Sequence, residues 1–315
     1  VATDYEHKEI IVIDDASLVP LREEDLPGPC SVLRLDHPQG PSAARNAGAR
    51  AARGAIVVFL DSDCLLNSDA LSIVSSLSSQ HPEMAAFNGI YVTPPATENT
   101  ASRFAALEMN YCFLNPPPTV FTALSAIRRE IFLESGGFDE SLDSPYADDV
   151  LLGWKLRKLG YKTMFDFSLQ ALHLKQYSFS SYLANSFEHH AVITRTFLKD
   201  LLHSDQKIGS EIDTGFSVPI VSARRPINLV LLSAAVLWMI WWCVSGLFGG
   251  GRRRSGFVHW FLLAAFIINN SKLWLYLGRQ IGWMQAVRMI PLLTADIIAS
   301  SAGFFTGLLR TNFQK

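Results

Sequence analysis

Three acidic groups in this sequence sit where chemistry is easily done. Asp14-Asp15 follows Glu9-Ile10-Ile11-Val12-Ile13, Asp61-Ser62-Asp63 follows Ile56-Val57-Val58-Phe59-Leu60, and Asp148-Asp149 opens a segment rich in Leu and Trp. Carboxylates two residues apart at the end of a strand can hold a hard divalent cation such as Mg2+ or Mn2+, for which oxygen donors are the natural ligands. The same triplet has plainer uses: it can cap a helix, here one starting at Asp69, or solvate a loop. Acidic residues at a helix start, as at Asp148-Asp149, also complement the helix dipole. Residue types alone leave both readings open.

The elements that must position these groups are legible from periodicity and punctuation. β-branched runs predict strands over 9–14, 31–35 and 55–60, with further strands over 85–92, 122–127 and 169–174. Between them, Pro41 to Ala52 is Ala-rich, starts on Pro and precedes Gly54, so it reads as a helix with ordinary start and stop signals. Helices are also predicted over 69–80, 102–114, 148–159 and 179–202. Gly136-Gly137-Phe138-Asp139 reads as a glycine turn after a short helix. Strands alternating with helices imply an α/β fold with an open, mostly parallel sheet flanked by helices. Ligands in such sheets sit beyond the carboxyl ends of the strands, and Asp14-Asp15 and Asp61-Ser62-Asp63 lie at two such ends.

The net charge of −2 hides an asymmetry: residues 1–225 carry 19 Lys/Arg against 28 Asp/Glu, whereas residues 226–315 carry 8 Lys/Arg against Asp296 alone. The basic residues of the tail flank apolar runs, which points to a membrane surface and not to nucleic acid. Ile227–Phe248 is 22 residues without a charge, enough to cross a hydrocarbon core of about 30 Å. Residues 257–277 and 289–309 are further apolar stretches, interrupted by Asn269, Asn270 and Lys272 and by Pro291 and Asp296, and read as additional spans or interfacial helices. Asp296 is expected to face a helix bundle, to pair with Lys272 or to meet the counter-ion of a lipid phosphate. The predicted organisation is an α/β domain over 1–205, a linker over 206–226 and a membrane region over 227–315. Cys30, Cys64, Cys112 and Cys243 have no paired spacing, so the expected compartment is reducing. Val1–Glu9 is polar, and the start reads as cut.

Taken together, Ile11-Val12-Ile13-Asp14-Asp15-Ala16-Ser17, Ala44-Arg45-Asn46-Ala47-Gly48, Phe59-Leu60-Asp61-Ser62-Asp63, Gly136-Gly137-Phe138-Asp139-Glu140 and Asp148-Asp149 resemble the inverting glycosyltransferases of family 2, with the GT-A fold. The likeness covers about residues 1–200. It implies a nucleotide-sugar donor, a UDP-sugar being favoured, and a Mg2+ or Mn2+ ion that neutralises the leaving diphosphate. By the same resemblance, Asp63 is a direct metal ligand and Asp61 shares the metal or lies near the ribose. Asp14 and Asp15 meet the base and ribose, and Arg45 lies near the nucleotide, where a guanidinium suits a diphosphate; its plainer use is a surface arginine. Asp149 is the base that takes the proton of an acceptor hydroxyl, with Asp148 beside it. His173, 24 residues beyond Asp149, stands where several members place a metal-ligating imidazole. Arg128 and Arg129 fall on an acceptor-side segment.

Two departures qualify the likeness. The family begins with a hydrophobic strand and a Pro-Thr-Tyr-Asn-like loop, and this chain starts after them, so either the domain lacks its first strand or the sequence is truncated. No Gln-x-x-Arg-Trp segment follows the acidic pair, which favours transfer of a single sugar over polymerisation. The expected acceptor is a saccharide or lipid-linked saccharide, with transfer to a polyprenyl phosphate and a non-catalytic membrane scaffold as the alternatives. The expected location is the membrane, multi-pass or hairpin, with the catalytic domain in the cytoplasm.

Overall fold

The computed structural model describes residues 4–92, 99–114, 120–142, 146, 148–203, 231 and 264–312. The chain divides into two compact units, one of Val1–Glu98 with Glu108–Gln176 and one of Asn99–Leu107 with Tyr177–Lys315. In chain order the elements are β1 (Ile11–Asp14), β2 (Ser31–Arg34), α1 (Pro41–Ala51), β3 (Ile56–Leu60), β4 (Cys64–Leu66), α2 (Ala70–Gln80), β5 (Met84–Val92), α3 (Thr100–Phe113), β6 (Leu124–Arg128), α4 (Arg129–Glu134), α5 (Asp148–Lys158), β7 (Lys162–His173), α6 (Phe179–His203), α7 (Ser271–Ile281), α8 (Trp283–Arg288) and α9 (Ile290–Asn312).

In the first unit, β1 and β2 form a parallel pair, and a five-stranded sheet has the order β3-β6-β5-β7-β4. The predicted α/β class holds, but strand sense is mixed and not mostly parallel: β5 pairs with β7 in parallel, while β3–β6, β5–β6 and β4–β7 are antiparallel. Hydrophobic periodicity reports which face a strand buries and carries no information on its direction, so this was out of reach of the sequence. β4 was also missed, being three residues long and separated from β3 by the Asp61-Ser62-Asp63 turn.

α1 is Ala-rich because it lies close against β1. Ala43, Ala47 and Ala49 are buried, and a Cβ on Gly48 would come within 3.3 Å of the Ile13 side chain. One core cluster groups Phe87, Leu124 and Leu169 from β5, β6 and β7. A second gathers Phe59, Phe132 and Phe138, with ring centroids 5.1–5.4 Å apart, so that β3, α4 and the glycine turn share one aromatic contact. Each such buried ring contributes roughly 2 kcal/mol by area.

Asn46 of α1 fastens the turn directly. Its Nδ2 donates to the Phe138 carbonyl at 2.9 Å and to Glu140 Oε1 at 2.8 Å, and its Oδ1 accepts the Phe138 N–H at 2.9 Å. Gly137 has φ +64°, and a Cβ there would fall 2.4 Å from Asn46 Oδ1. Gly137→Ala is therefore expected to cost about 2 kcal/mol in chemical denaturation, from left-handed strain and displacement of Asn46. A denaturation midpoint equal to wild type would show that the turn is not held this way.

Arg128 and Arg129, placed by resemblance on an acceptor-side segment, hydrogen-bond to carbonyls near helix ends. Arg128 donates to the carbonyl of Ser78 in the last turn of α2 and to those of His81 and Met84 beyond it, and Arg129 donates to Ala49 and Arg50 at the end of α1. Exposed carbonyls at a helix C-terminus attract cations, which explains both.

In the second unit, α6 packs along α9. Within Gly303-Phe304-Phe305-Thr306-Gly307, a Cβ on Gly303 would sit 2.1 Å from the Phe187 carbonyl oxygen, and one on Gly307 would sit 2.5 Å from that of Ala191. Small residues four apart let two backbones approach, the usual device for close helix pairs in and near membranes. This places α6 with the C-terminal helices in the second unit, the first unit running to Gln176. Gly303→Ala is expected to destabilise the detergent-solubilised chain by about 1–3 kcal/mol through overpacking. A thermal-unfolding midpoint unchanged in Gly303→Ala would refute the contact.

Asp296 faces α6 and is buried, accepting a hydrogen bond from Ser186 Oγ at 2.6 Å. The predicted stretch over 257–277 lies partly within the described residues and is interrupted at Asn270, whose φ/ψ of −101°/2° precedes α7. Ile290–Arg310 is long and apolar enough to cross a membrane, and it is the one such helix among the described residues. The predicted linker over 206–226 and, apart from residue 231, the apolar run over 227–248 lie outside the described residues.

Candidate functional site

Both acidic groups at the strand ends are on the first unit, and the structure links one of them to the third group. Arg45, pointing from α1, donates to Asp61 Oδ1 at 2.8 Å and to Asp148 Oδ2 at 2.5 Å. Its guanidinium lies 5.7 Å from the centroid of the Phe138 ring. Residues 45, 61 and 148, far apart in sequence, are therefore one network. Arg45 is neither a surface arginine nor an uncommitted cation for a diphosphate: two carboxylates already hold it. Their charges strengthen its hold on the proton against the opposing effect of burial.

Asp148 and Asp149 open α5. The Asp149 N–H donates to Asp148 Oδ1 at 3.0 Å, and the Val150 N–H donates to Asp149 Oδ1 at 2.7 Å. Burial pushes Asp148 upward, with Arg45 opposing. Asp149 is pushed up to about 7 by burial and by the neighbouring Asp148 charge. A carboxyl tuned towards neutrality is what a general base requires, since it can accept a proton and release it again near working pH.

Asp63 has a different partner. Its Oδ2 lies 3.5 Å from His173 Nε2, longer than a good hydrogen bond and short enough for one cation to join them. The β4–β7 ladder creates this meeting by pairing Cys64 with His173, and the Leu174 N–H donates to the Asp63 carbonyl at 2.8 Å. Tyr91 stacks on the imidazole at 4.4 Å between centroids, with the planes 4° apart, which sets the ring's orientation. Burial lowers the His173 pKa, with Asp63 pulling the other way, a balance that favours the neutral ring. The ligand atoms of Asp63, Cys64 and His173 all lie within 4.8 Å of one another. Asp61 stands outside that trio, turned to Arg45. Cys64 was not singled out from the sequence; the available signal was its place beside Asp63.

Asp14 and Asp15 shape the loops around the end of β1. Asp14 is buried and accepts the N–H groups of Ser17 and Leu21 at 2.8 and 3.1 Å and a bond from Arg34, which together hold its carboxyl far below the usual range. Asp15 accepts the N–H groups of Gln39 and Gly40 at 2.7 and 2.8 Å, fixing the entry to α1. Both carboxylates are thus engaged by their own chain.

The first unit is an α/β domain with carboxylates at the ends of β1 and β3. The whole chain superposes on 81% of a mannosyltransferase from Pyrobaculum calidifontis, solved with GDP-Man and Mn2+, with a TM-score of 0.59 and 17% identity, which establishes the fold. Residues 1–136 match the family described as glycosyl transferase family 2. Over 170 residues, half of the chain, it is 32% identical to a pre-mycofactocin glycosyltransferase of Mycobacterium tuberculosis, covering 35% of that protein. Over 156 residues, 46% of the chain, it is 30% identical to an uncharacterized glycosyltransferase of Haemophilus influenzae, covering 51% of it. The chain thus spans about a third to a half of the length of these relatives.

Proposed function

We propose that this protein is a membrane-associated, inverting glycosyltransferase that moves a single sugar from a nucleotide sugar, a UDP-sugar in the first instance, to a hydroxyl of a saccharide or lipid-linked acceptor. The observation that carries the reading is the Asp61–Arg45–Asp148 bridge, which ties the strand-end carboxylates to the segment bearing Asp149. Asp149, at the head of α5, takes the proton of the acceptor hydroxyl as its oxygen attacks the anomeric carbon. Asp148, held by Arg45, keeps Asp149's affinity for that proton high. A phosphate acceptor is already ionised at neutral pH and needs no base, so a base at this position favours a hydroxyl.

Asp63 and His173 offer an oxygen and a neutral nitrogen to a divalent cation, a donor pair that fits Mg2+ or Mn2+. Such an ion, when bound, neutralises the charge developing on the leaving diphosphate. Asp14 and Asp15 contribute by fixing the two loops that frame the nucleotide end of the site. In this reading α9 seats the C-terminal unit in a membrane, with the catalytic unit on the cytoplasmic side.

The test is product analysis on the full chain in membranes, with UDP- and GDP-sugars offered in turn with Mn2+. Release of nucleoside diphosphate together with a glycosylated acceptor of inverted anomeric configuration is expected. Retention of configuration would overturn the inverting step, and no turnover of any donor would favour a scaffold.

A further inference from the structure

We propose that Cys64 is a third protein ligand of the Asp63–His173 cation site, making it a sulfur-bearing Asp–Cys–His centre that takes a thiophilic divalent ion such as Zn2+ in preference to Mn2+. The inference rests on the reading of Asp63 and His173 as cation ligands and adds to it the element that decides which cation is held.

The geometry that points to it is the convergence of three unlike donors. The Cys64 thiol is directed at Asp63 Oδ1 at 3.9 Å, and Asp63 Oδ2 lies 3.5 Å from His173 Nε2. Donor atoms around a tetrahedral zinc, with bonds of about 2.0–2.3 Å, lie about 3.3–3.8 Å apart. The three donor atoms lie within 4.8 Å of one another, so closing them by up to about 1 Å completes a three-ligand face. The trio is also held in place from behind. Cys64 and His173 are register partners in the β4–β7 ladder, and Tyr91 stacks on the imidazole. Cys64 is buried, whereas the Asp63 side chain is 42% exposed, so the face is open on one side, where a fourth donor can enter.

Ligand type then sets the preference. Oxygen donors alone suit Mg2+ and Mn2+, and a thiolate shifts selection strongly towards Zn2+. Binding replaces the thiol proton by the metal: the S–H bond breaks, the sulfur lone pair forms the S–metal bond, and the proton passes to solvent. No oxidant or reductant is involved. Zinc held this way competes with Mn2+ for Asp63 and His173.

The test uses the full chain with Cys30, Cys112 and Cys243 replaced by serine, leaving Cys64 as the one thiol. Titration with Co2+, a spectroscopic stand-in for zinc, is expected to give a near-ultraviolet sulfur-to-metal charge-transfer band that Cys64→Ser abolishes. In competition experiments, Cys64→Ser and Cys64→Ala are each expected to weaken Zn2+ by about tenfold or more, with Mn2+ changed less than about threefold. Near-ultraviolet circular dichroism of the metal-free variants checks that they fold. A cobalt complex lost in Asp63→Ala but showing no charge-transfer band overturns the role of Cys64 and leaves the Asp63–His173 reading standing. Absence of Mn2+ and Co2+ binding altogether overturns both.

Discussion

Asp149→Asn is expected to lower kcat by about a thousandfold while changing the KM for the nucleotide sugar by less than about threefold. The amide preserves size and can still accept from the Val150 N–H, so α5 keeps its start, but it cannot take the acceptor's proton. The loss belongs to the transition state and therefore falls on kcat. The pH dependence has a definite sign. The base acts only when deprotonated, and its carboxyl is pushed up to about 7. The rate in wild type is thus expected to climb with pH up to about 7 and then level off. Arg45 opposes the upward shift of both carboxyls. Arg45→Met removes that cation, so its rising limb moves to higher pH, an effect a merely structural arginine would not produce. Wild-type kcat in Asp149→Asn would sink the assignment, and a flat pH profile between 5 and 8 would sink the tuning.

Asp63→Ala is the second large effect. Removing the carboxylate that faces His173 is expected to abolish Mn2+ binding, followed by electron paramagnetic resonance of the free ion, and to reduce donor turnover by about a thousandfold, the several kcal/mol that a cation contributes to a developing diphosphate charge. His173→Ala is expected to cost less, about tenfold to a hundredfold, because one of the two donors remains. Raising Mn2+ should recover part of the activity in His173→Ala and none in Asp63→Ala. Equal recovery in both variants would mean that Asp63 is not a ligand and that the ion sits elsewhere.

Much of the scaffold was legible because local rules dominate it. Pro41 and the Ala run specify α1 through capping and the need for small residues against β1, and the β-branched runs specify β1 and β3, whose ends deliver Asp14-Asp15 and Asp61. The compositional break after residue 225 and the apolar stretch over 289–309 likewise announce the C-terminal helices. β7 starts at Lys162, well before the predicted 169, since its first half has no simple alternation.

The acidic triplet shows where sequence stops. The sequence by itself determined that Asp61, Asp63, Asp148, Asp149 and His173 exist on elements of the right kind. Only the tertiary structure decided their partners: Asp61 turns to Arg45 and Asp148, while Asp63, two residues on, turns to His173 and Cys64. The physical reason is that these contacts are set by strand pairing and helix packing between segments about a hundred residues apart. The antiparallel β4–β7 register brings Cys64 opposite His173, and Asn46 and Gly137 lock α1 to the turn that precedes Asp148-Asp149. Periodicity encodes which face of an element is buried; it does not encode which element is waiting on the other side.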